Sequence, residues 1–276
     1  MKGMKDEIEF EILQELPAER PAIKAVVFDF DGTLSTLRYG WETIMEPFML
    51  EMIAGDGPVT QEMIDMVREY IDQSTGIQTI FQMQWLAEKT GQYENRPDAM
   101  KDPWWYKGEY NRRLMDIVNE RIKALGERRK NAEDYLMAGS KEFLAALKEK
   151  GVSIYAASGT DHPDVVREAA YLGLFGYFNE IAGAPAGKAD CSKDAVLRKL
   201  IKEKGLLGSE VAVVGDGRVE IALGREIGAI TLGIASNEEK RSGINEIKKK
   251  RLVKAGAYAI TGDFRNINDI FTLFNL

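Results

Sequence analysis

Asp29 and Asp31 close a short apolar run, Ala25 to Phe28, and are followed at once by Gly32 and Thr33. Along a strand, residues i and i+2 point the same way, and an apolar core does not accept two unpaired carboxylates, so the pair requires a cation. A strand that ends in acids and turns through Gly-Thr suits the carboxyl edge of a parallel α/β sheet, where ligands bind in such folds. The plain alternative is a solvated strand end. Asp-x-Asp-Gly also opens a calcium loop, but no Glu stands at its twelfth position, because Glu42 falls two residues late.

Three further segments carry polar groups where a second set of strands would end. Ala157-Ser158-Gly159-Thr160 offers a hydroxyl and a glycine whose amide can approach an anion closely. Lys193 opens an amphipathic stretch, and Gly215-Asp216-Gly217-Arg218-Val219-Glu220 brings two more acids four positions apart at a glycine-rich turn. Two acid pairs, a hydroxyl and one lysine form a set suited to carboxylate chemistry on an anionic substrate. The lone histidine, His162, and the single cysteine, Cys191, leave little for a triad, a multi-histidine metal site or a disulfide.

These residues need elements to hold them. The 276 residues carry 37 basic and 44 acidic side chains, a net charge of -7 that offers no electrostatic footprint for nucleic acid and favours a cationic cofactor. The absence of an 18-residue apolar run or a signal-like N-terminus sets the expectation of no membrane partner and a cytoplasmic location. Residues 1 to 24 are polar apart from Ile8, Phe10 and Ile12, whose alternation suggests an edge strand or extended arm. From Trp41 to Gly126, apolar stripes at helical spacing follow one another without a strand pattern between them, and Asn95 to Tyr106 reads as an aromatic loop. From Ser140 to the end, strand and helix alternate, with strands at 152–157, near Ile181, at 211–214, 229–234 and 258–261. Such alternation implies a mostly parallel sheet covered on both faces. A crossover needs roughly a dozen residues, whereas the interval from Asp31 to Ser158 is about ten times longer. The excess is read as an inserted helical domain, giving an α/β core of residues 1–36 and 137–276 around an all-helical cap of residues 37–136.

With all four segments in view, the chain resembles the haloacid dehalogenase superfamily of aspartate-nucleophile phosphohydrolases. The four motifs match in order as Asp29-Phe30-Asp31-Gly32-Thr33-Leu34, Ser158-Gly159-Thr160, Lys193, and Gly215-Asp216 through Glu220. The insertion after the first motif is similar to that family's first cap class, on a Rossmann-like parallel sheet. The resemblance implies a phosphomonoester hydrolase acting on a small phosphorylated metabolite, a sugar phosphate among the options. Asp29 would attack phosphorus, Asp31 would protonate the leaving alcohol and then activate water, and Ser158 with the Gly159 amide would hold phosphoryl oxygens. Mg²⁺ would be held by Asp29, Asp31 and Asp216, with Glu220 behind them and Lys193 offsetting the negative charge. Lys193 is preferred over Lys188 for the third motif because it starts the amphipathic helix. A sugar phosphomutase of the same superfamily is the rival reading, and a catalytically silent phospholigand-binding protein the reading from another class.

Substrate contacts are expected from the cap. Arg38 and Trp41 follow the first motif where the chain enters it, and Trp104 and Trp105 could present ring faces to a sugar. Lys248-Lys249-Lys250-Arg251 is read as a solvated helix face, and Cys191 as a packing residue.

Overall fold

In the computed structural model, the described residues are 10–17, 19–93, 97–189 and 192–276. Ile8 of the expected edge strand, Asn95 and Arg96 of the aromatic segment, and Cys191 lie outside them. Seven strands form one sheet: β1 (Phe10–Ile12), β2 (Ala25–Phe28), β3 (Ser153–Asp161), β4 (Glu180–Ala184), β5 (Val211–Gly215), β6 (Ile230–Ile234) and β7 (Ala259–Thr261), in the order β1-β7-β6-β5-β2-β3-β4. Every pairing is parallel except β1 with β7, where Phe10 and Ile12 extend the sheet as the antiparallel edge.

The central strand explains the position of the acids. β2 is buried throughout and pairs with β3 on one side and β5 on the other, so the strand order reverses across it and the carboxyl edge opens a crevice there. Phe28 is in register with Ala156 and with Val214, so Asp29, Ser158 and Asp216 leave the sheet close together. The Asp29 amide donates to the Val214 carbonyl at 2.8 Å, which carries the pairing one residue past the strand.

Both faces of the sheet are covered, as the run of apolar residues in β2 requires. Val26 and Phe28 pack on one face with α5 (Ser140–Glu149), α6 (His162–Tyr171) and α10 (Ile267–Phe274). Phe143 lies at the centre of that layer, its ring 5.3 Å from Phe264 and 6.0 Å from Phe28. Ala25 and Val27 face the other way, onto Val196, Leu197 and Leu200 of α7 (Ser192–Glu203), while α8 (Arg218–Glu226) and α9 (Glu246–Ala255) complete that side. Among the described residues, no helix is long and apolar enough to cross a membrane.

Between β2 and β3 the chain makes four helices, α1 (Glu42–Ala54), α2 (Gln61–Gln73), α3 (Thr79–Gln92) and α4 (Pro103–Gly126), around a hydrophobic cluster of their own that includes Met45, Phe48, Met83, Leu86, Tyr106 and Val118. The two segments that join these helices to the sheet run side by side. The Thr36 amide donates to the Tyr135 carbonyl at 2.8 Å and the Met137 amide to the Leu34 carbonyl at 3.0 Å, with Ser35 bridged to Leu136. The same Ser35 is bridged to Asp31, and its carbonyl accepts from the Gly32 amide at 2.8 Å. The legs of the cap are thus tied to the turn that carries the acids.

One expectation needs correcting. Trp104, Trp105 and Tyr106 do not sit in a loop but in the first turns of α4, because the Asp102 carboxylate accepts from the Trp104 amide at 2.8 Å and Pro103 takes the first helical position. Tyr106 is buried in the cap cluster, whereas Trp104 and Trp105 stay partly exposed.

The aromatic layer under the sheet sets a stability prediction. Phe143→Ala is expected to lower the unfolding free energy by about 3–5 kcal/mol in chemical denaturation. Ile247→Ala, at an exposed position, is expected to stay within about 0.5 kcal/mol of wild type.

Candidate active site

The turn after β2 owes its shape to Gly32. Its φ of +74° lies in the left-handed region, and a Cβ there would stand 2.4 Å from the Asp216 Oδ2 atom, so any larger residue would push the two acidic turns apart. Asp29, Asp31 and Asp216 line one cavity of about 100 Å³ together with Ser158, Gly159, Lys193, Arg38 and Trp41. Gly159 lets the α2–α3 loop come down onto the second strand end, since its Cβ would meet the Ile77 carbonyl oxygen at 2.7 Å. From the same loop, a Cβ on Gly76 would lie 2.9 Å from the Glu220 carboxylate. The cap therefore roofs the strand ends directly.

The two acids of the first turn have different surroundings. Asp29 is buried, with Lys193 Nζ 3.2 Å from its Oδ2 atom. Burial pushes its carboxyl well above the usual range, Lys193 pulls it down, and Glu220, Asp216 and Asp31 push it up again. Lys193 also donates to Glu220 Oε2 at 2.8 Å, and its amine is raised because these carboxylates outweigh the cost of its own burial. Asp31 is oriented through one oxygen only. Its Oδ2 atom accepts from Thr160 Oγ1 at 2.8 Å and Ser158 Oγ at 3.3 Å, and the Thr160 amide donates to Ser158 Oγ at 3.0 Å. Its Oδ1 atom is buried with no hydrogen-bond partner, and the Arg38 Nε atom stands 3.8 Å away. An orphaned carboxylate oxygen beside a cavity is a place for a donor from a ligand.

Glu220 and Asp216 divide the fourth segment. Glu220 spends both oxygens, accepting from the Gly217 amide at 2.5 Å and from Lys193, so it clamps the turn and the lysine. Asp216 accepts from Thr33 Oγ1 at 3.3 Å and from Lys248 Nζ at 2.6 Å. Burial pushes the Asp216 carboxyl up, but Lys248 more than offsets this and holds it below the usual carboxylate range.

Lys248 overturns the reading of residues 248–251 as a solvated face. It is buried and donates to Asp216, to Glu238 Oε1 at 2.6 Å and to Ser236 Oγ at 3.1 Å, while Ser236 donates to the Gly32 carbonyl at 2.7 Å. Although burial lowers an amine, these carboxylates raise it to about 12. Arg251, one turn on, donates to Asp72 and Thr75 Oγ1, both at 3.1 Å, and to the Asp216 carbonyl at 3.4 Å, linking cap to core. Lys249 instead pairs with Glu11 on the edge strand. The signal available in the sequence was the i, i+3, i+4 set of Lys248, Arg251 and Leu252, which one helix face shares.

The remaining candidates fall on different sides of the cavity wall. Trp41 and Arg38 line it; Arg38 is buried and forms a bidentate pair with Glu168 of α6, Nη2 to Oε1 at 2.7 Å and Nε to Oε2 at 3.2 Å. Trp104 and Trp105 do not line it, and stand over Lys107 and Lys101 at 5.2 Å and 3.6 Å. Lys188 is exposed on the turn before α7, remote from the contacts that Lys193 makes.

The donor set suits a hard divalent cation. Single carboxylate oxygens of Asp29, Asp216 and Glu220 lie within 4.8 Å of one another, all three residues are buried, and the lift on Asp29 from its acidic neighbours is the strain that a cation would relieve.

A search of the curated proteins finds no match. Solved structures with the same architecture include a predicted phosphoglycolate phosphatase from Haemophilus somnus (TM-score 0.58, 18% identity, covering 90% of this chain and 97% of that one). A β-phosphoglucomutase from Clostridium difficile aligns with a TM-score of 0.58 at 15% identity, over 92% and 97% of the two chains. A hydrolase from Pseudomonas syringae gives 0.54 at 18%, over 90% and 99%. At these identities the likeness is one of fold. The family model for haloacid dehalogenase-like hydrolases matches residues 23–228, a span that begins just before the first acid pair and ends after Glu220, and the chain therefore belongs to the haloacid dehalogenase-like hydrolases.

Proposed function

We propose that the protein is a Mg²⁺-dependent phosphomonoester hydrolase that works through an aspartyl-phosphate on Asp29. The observation that carries this reading is the contrast between the two acids of one turn: Asp29 held against Lys193, and Asp31 tethered by Thr160 and Ser158 through one oxygen with the other left without a partner. Carboxylates pushed into different environments divide the roles of nucleophile and proton carrier.

The residues act in order. Asp29 attacks the phosphorus in line as the Asp31 carboxyl gives its proton to the departing alcohol oxygen. Asp31, now a carboxylate, takes a proton from the water that opens the acyl phosphate and returns Asp29 to its starting form. Ser158 and the Gly159 amide hold the phosphoryl oxygens, and Lys193, kept charged and fixed by Glu220, stabilises the negative charge that gathers around phosphorus. Asp29, the Asp31 carbonyl and Asp216 would hold the metal ion, which supplies Lewis-acid neutralisation of a phosphoryl oxygen. Thr33 and Lys248 orient Asp216 for that task from the side.

The parts have a natural division. Residues 1–36 and 137–276 serve as the catalytic core and residues 37–136 as the cap that closes over a small phosphorylated metabolite. Arg38 and Trp41 are the substrate-side residues, while Trp104 and Trp105 have no part in the cavity.

The direct test is a phosphomonoester panel with product analysis. Wild-type protein with Mg²⁺ is expected to release inorganic phosphate from at least one member; no release across a broad panel, or an isomerised phosphate ester in its place, would sink the proposal. Asp29→Asn is expected to lower kcat by at least about 10³-fold while the thermal midpoint shows a folded protein. Treatment with EDTA is expected to abolish turnover and added Mg²⁺ to restore it, and activity that survives full metal removal would refute the metal assignment.

A further inference from the structure

The reaction leaves one buried titratable pair unused. Glu168 lies on α6, is fully buried, and takes no part in any step above, yet it grips Arg38 with both carboxylate oxygens. Arg38 in turn lines the cavity beside Asp31. Burial lifts the Glu168 carboxyl to about 7 against the pull of the guanidinium, and the Arg38 charge is reinforced by Glu168 and Asp31 despite its own burial. An enclosed pair of this kind is costly to keep and invites a functional account.

We propose that Glu168 keeps the charge of Arg38 neutralised, so that the site favours phosphomonoesters whose leaving group is small and uncharged, with Glu168 acting through Arg38 as the specificity-determining residue. The inference rests on the phosphomonoesterase reading and adds the substrate class to it.

Three observations converge on this. First, every cation at the cavity is already matched by carboxylates. Arg38 holds Glu168; Lys193 stands 3.2 Å from Asp29 and 2.8 Å from Glu220; Lys248 lies behind Asp216 and Glu238 at 2.6 Å from each. Second, apart from Arg38 the cap contributes only neutral side chains to the lining, with Trp41, Ile77, Tyr110 and Leu114 as largely apolar surface and Thr75, Thr79 and Gln82 as hydrogen-bonding groups. Third, the cavity of about 100 Å³ is well below the roughly 300–1,000 Å³ of sites that take drug-sized ligands.

An additional carboxylate or phosphate on the leaving group would meet Asp29, Asp31, Asp216 and Glu238 with no spare positive charge among the described lining residues. To hold it, Arg38 would have to share its single positive charge with Glu168, which already engages the guanidinium through both oxygens. A neutral polyol or alkyl alcohol incurs neither penalty. Discrimination of this sort comes from what is penalised as much as from what is attracted.

The experiment compares kcat/KM for two small monoesters with Mg²⁺-loaded full-length protein: glycerol 2-phosphate, whose leaving group is neutral, and 2-phosphoglycolate, whose leaving group carries a carboxylate. Wild type is expected to favour glycerol 2-phosphate by at least about tenfold, mostly through KM. In Glu168→Gln the freed guanidinium is expected to narrow that ratio by at least about tenfold, again through the KM of the carboxylate substrate, with kcat for the neutral one little changed. The double variant Arg38→Met/Glu168→Leu, which removes the pair without changing net charge, is expected to keep the wild-type ratio. If Glu168→Gln does not fold, Glu168→Ala, which also frees the guanidinium, carries the test with the same expected narrowing, and the double variant assigns that narrowing to Arg38. Wild type that turns over 2-phosphoglycolate as well as or better than glycerol 2-phosphate, an unchanged ratio in folded Glu168→Gln, or a collapsed ratio in the double variant would each overturn the proposal. Absence of turnover of either ester, extended to every member of the broader panel, would overturn the phosphomonoesterase reading and the proposal with it.

Discussion

Everything at this site follows from the repulsion among carboxylates gathered at the edge of three adjacent strands. Asp29, Asp31, Asp216 and Glu220 come together because β2, β3 and β5 are in register, and Glu238 joins them from beyond β6. Left alone, such a cluster would take up protons or splay apart. Two buried lysines prevent this from opposite sides, Lys193 tying Asp29 to Glu220 and Lys248 tying Asp216 to Glu238. The remaining negative charge suits a divalent ion and disfavours a surplus anion. Affinity for a cation and the burial of Asp29 are two faces of one electrostatic constraint.

The cap works within that constraint by adding enclosure and, beyond the Arg38 already paired with Glu168, no charge to the lining. Its α2–α3 loop reaches the second and fourth segments through Ile77 and Gly76. Arg251 joins the loop to the fourth turn through Thr75 and Asp72, and on the far side Lys107 and Asn111 of α4 bind Asp161 at the end of β3. These contacts bracket the cavity at two points. The aromatic residues that looked most like sugar platforms lie elsewhere. Trp104 and Trp105 are set facing outward by the capped start of α4, and the rings that do border the cavity are those of Trp41 and Tyr110.

Local signals carried the core of the site and much of the fold. Asp29 to Thr33, Ser158-Gly159 and Gly215 to Glu220 are each written within a few consecutive residues at a strand end, so period-2 patterning and glycine chemistry suffice to read them. The long helical interval betrayed the insertion by length alone. What stayed hidden depends on pairings distant in sequence. Lys248 looks solvated within a basic run and becomes buried only when α9 packs against the turn of Asp216, 32 positions earlier. Glu168 reads as an ordinary polar residue of an amphipathic helix, and its partner Arg38 is 130 positions away. α10, Ile267 to Phe274, escaped although its apolar residues keep helical spacing around exposed Asn268, Asp269 and Thr272, because eight residues give barely two turns of pattern. The strand β3 runs past Ala157 to Asp161, where the expected turn would have ended it, since its register with β4 shifts rather than stops.

The paired legs of the cap, Thr36 against Tyr135 and Met137 against Leu34, are tied through Ser35 to Gly32 and Asp31. The peptide units that join the cap to the core and those that seat Asp31 are thus the same few, so the orientation of the roof and the aim of that carboxylate are set by one hydrogen-bonded unit.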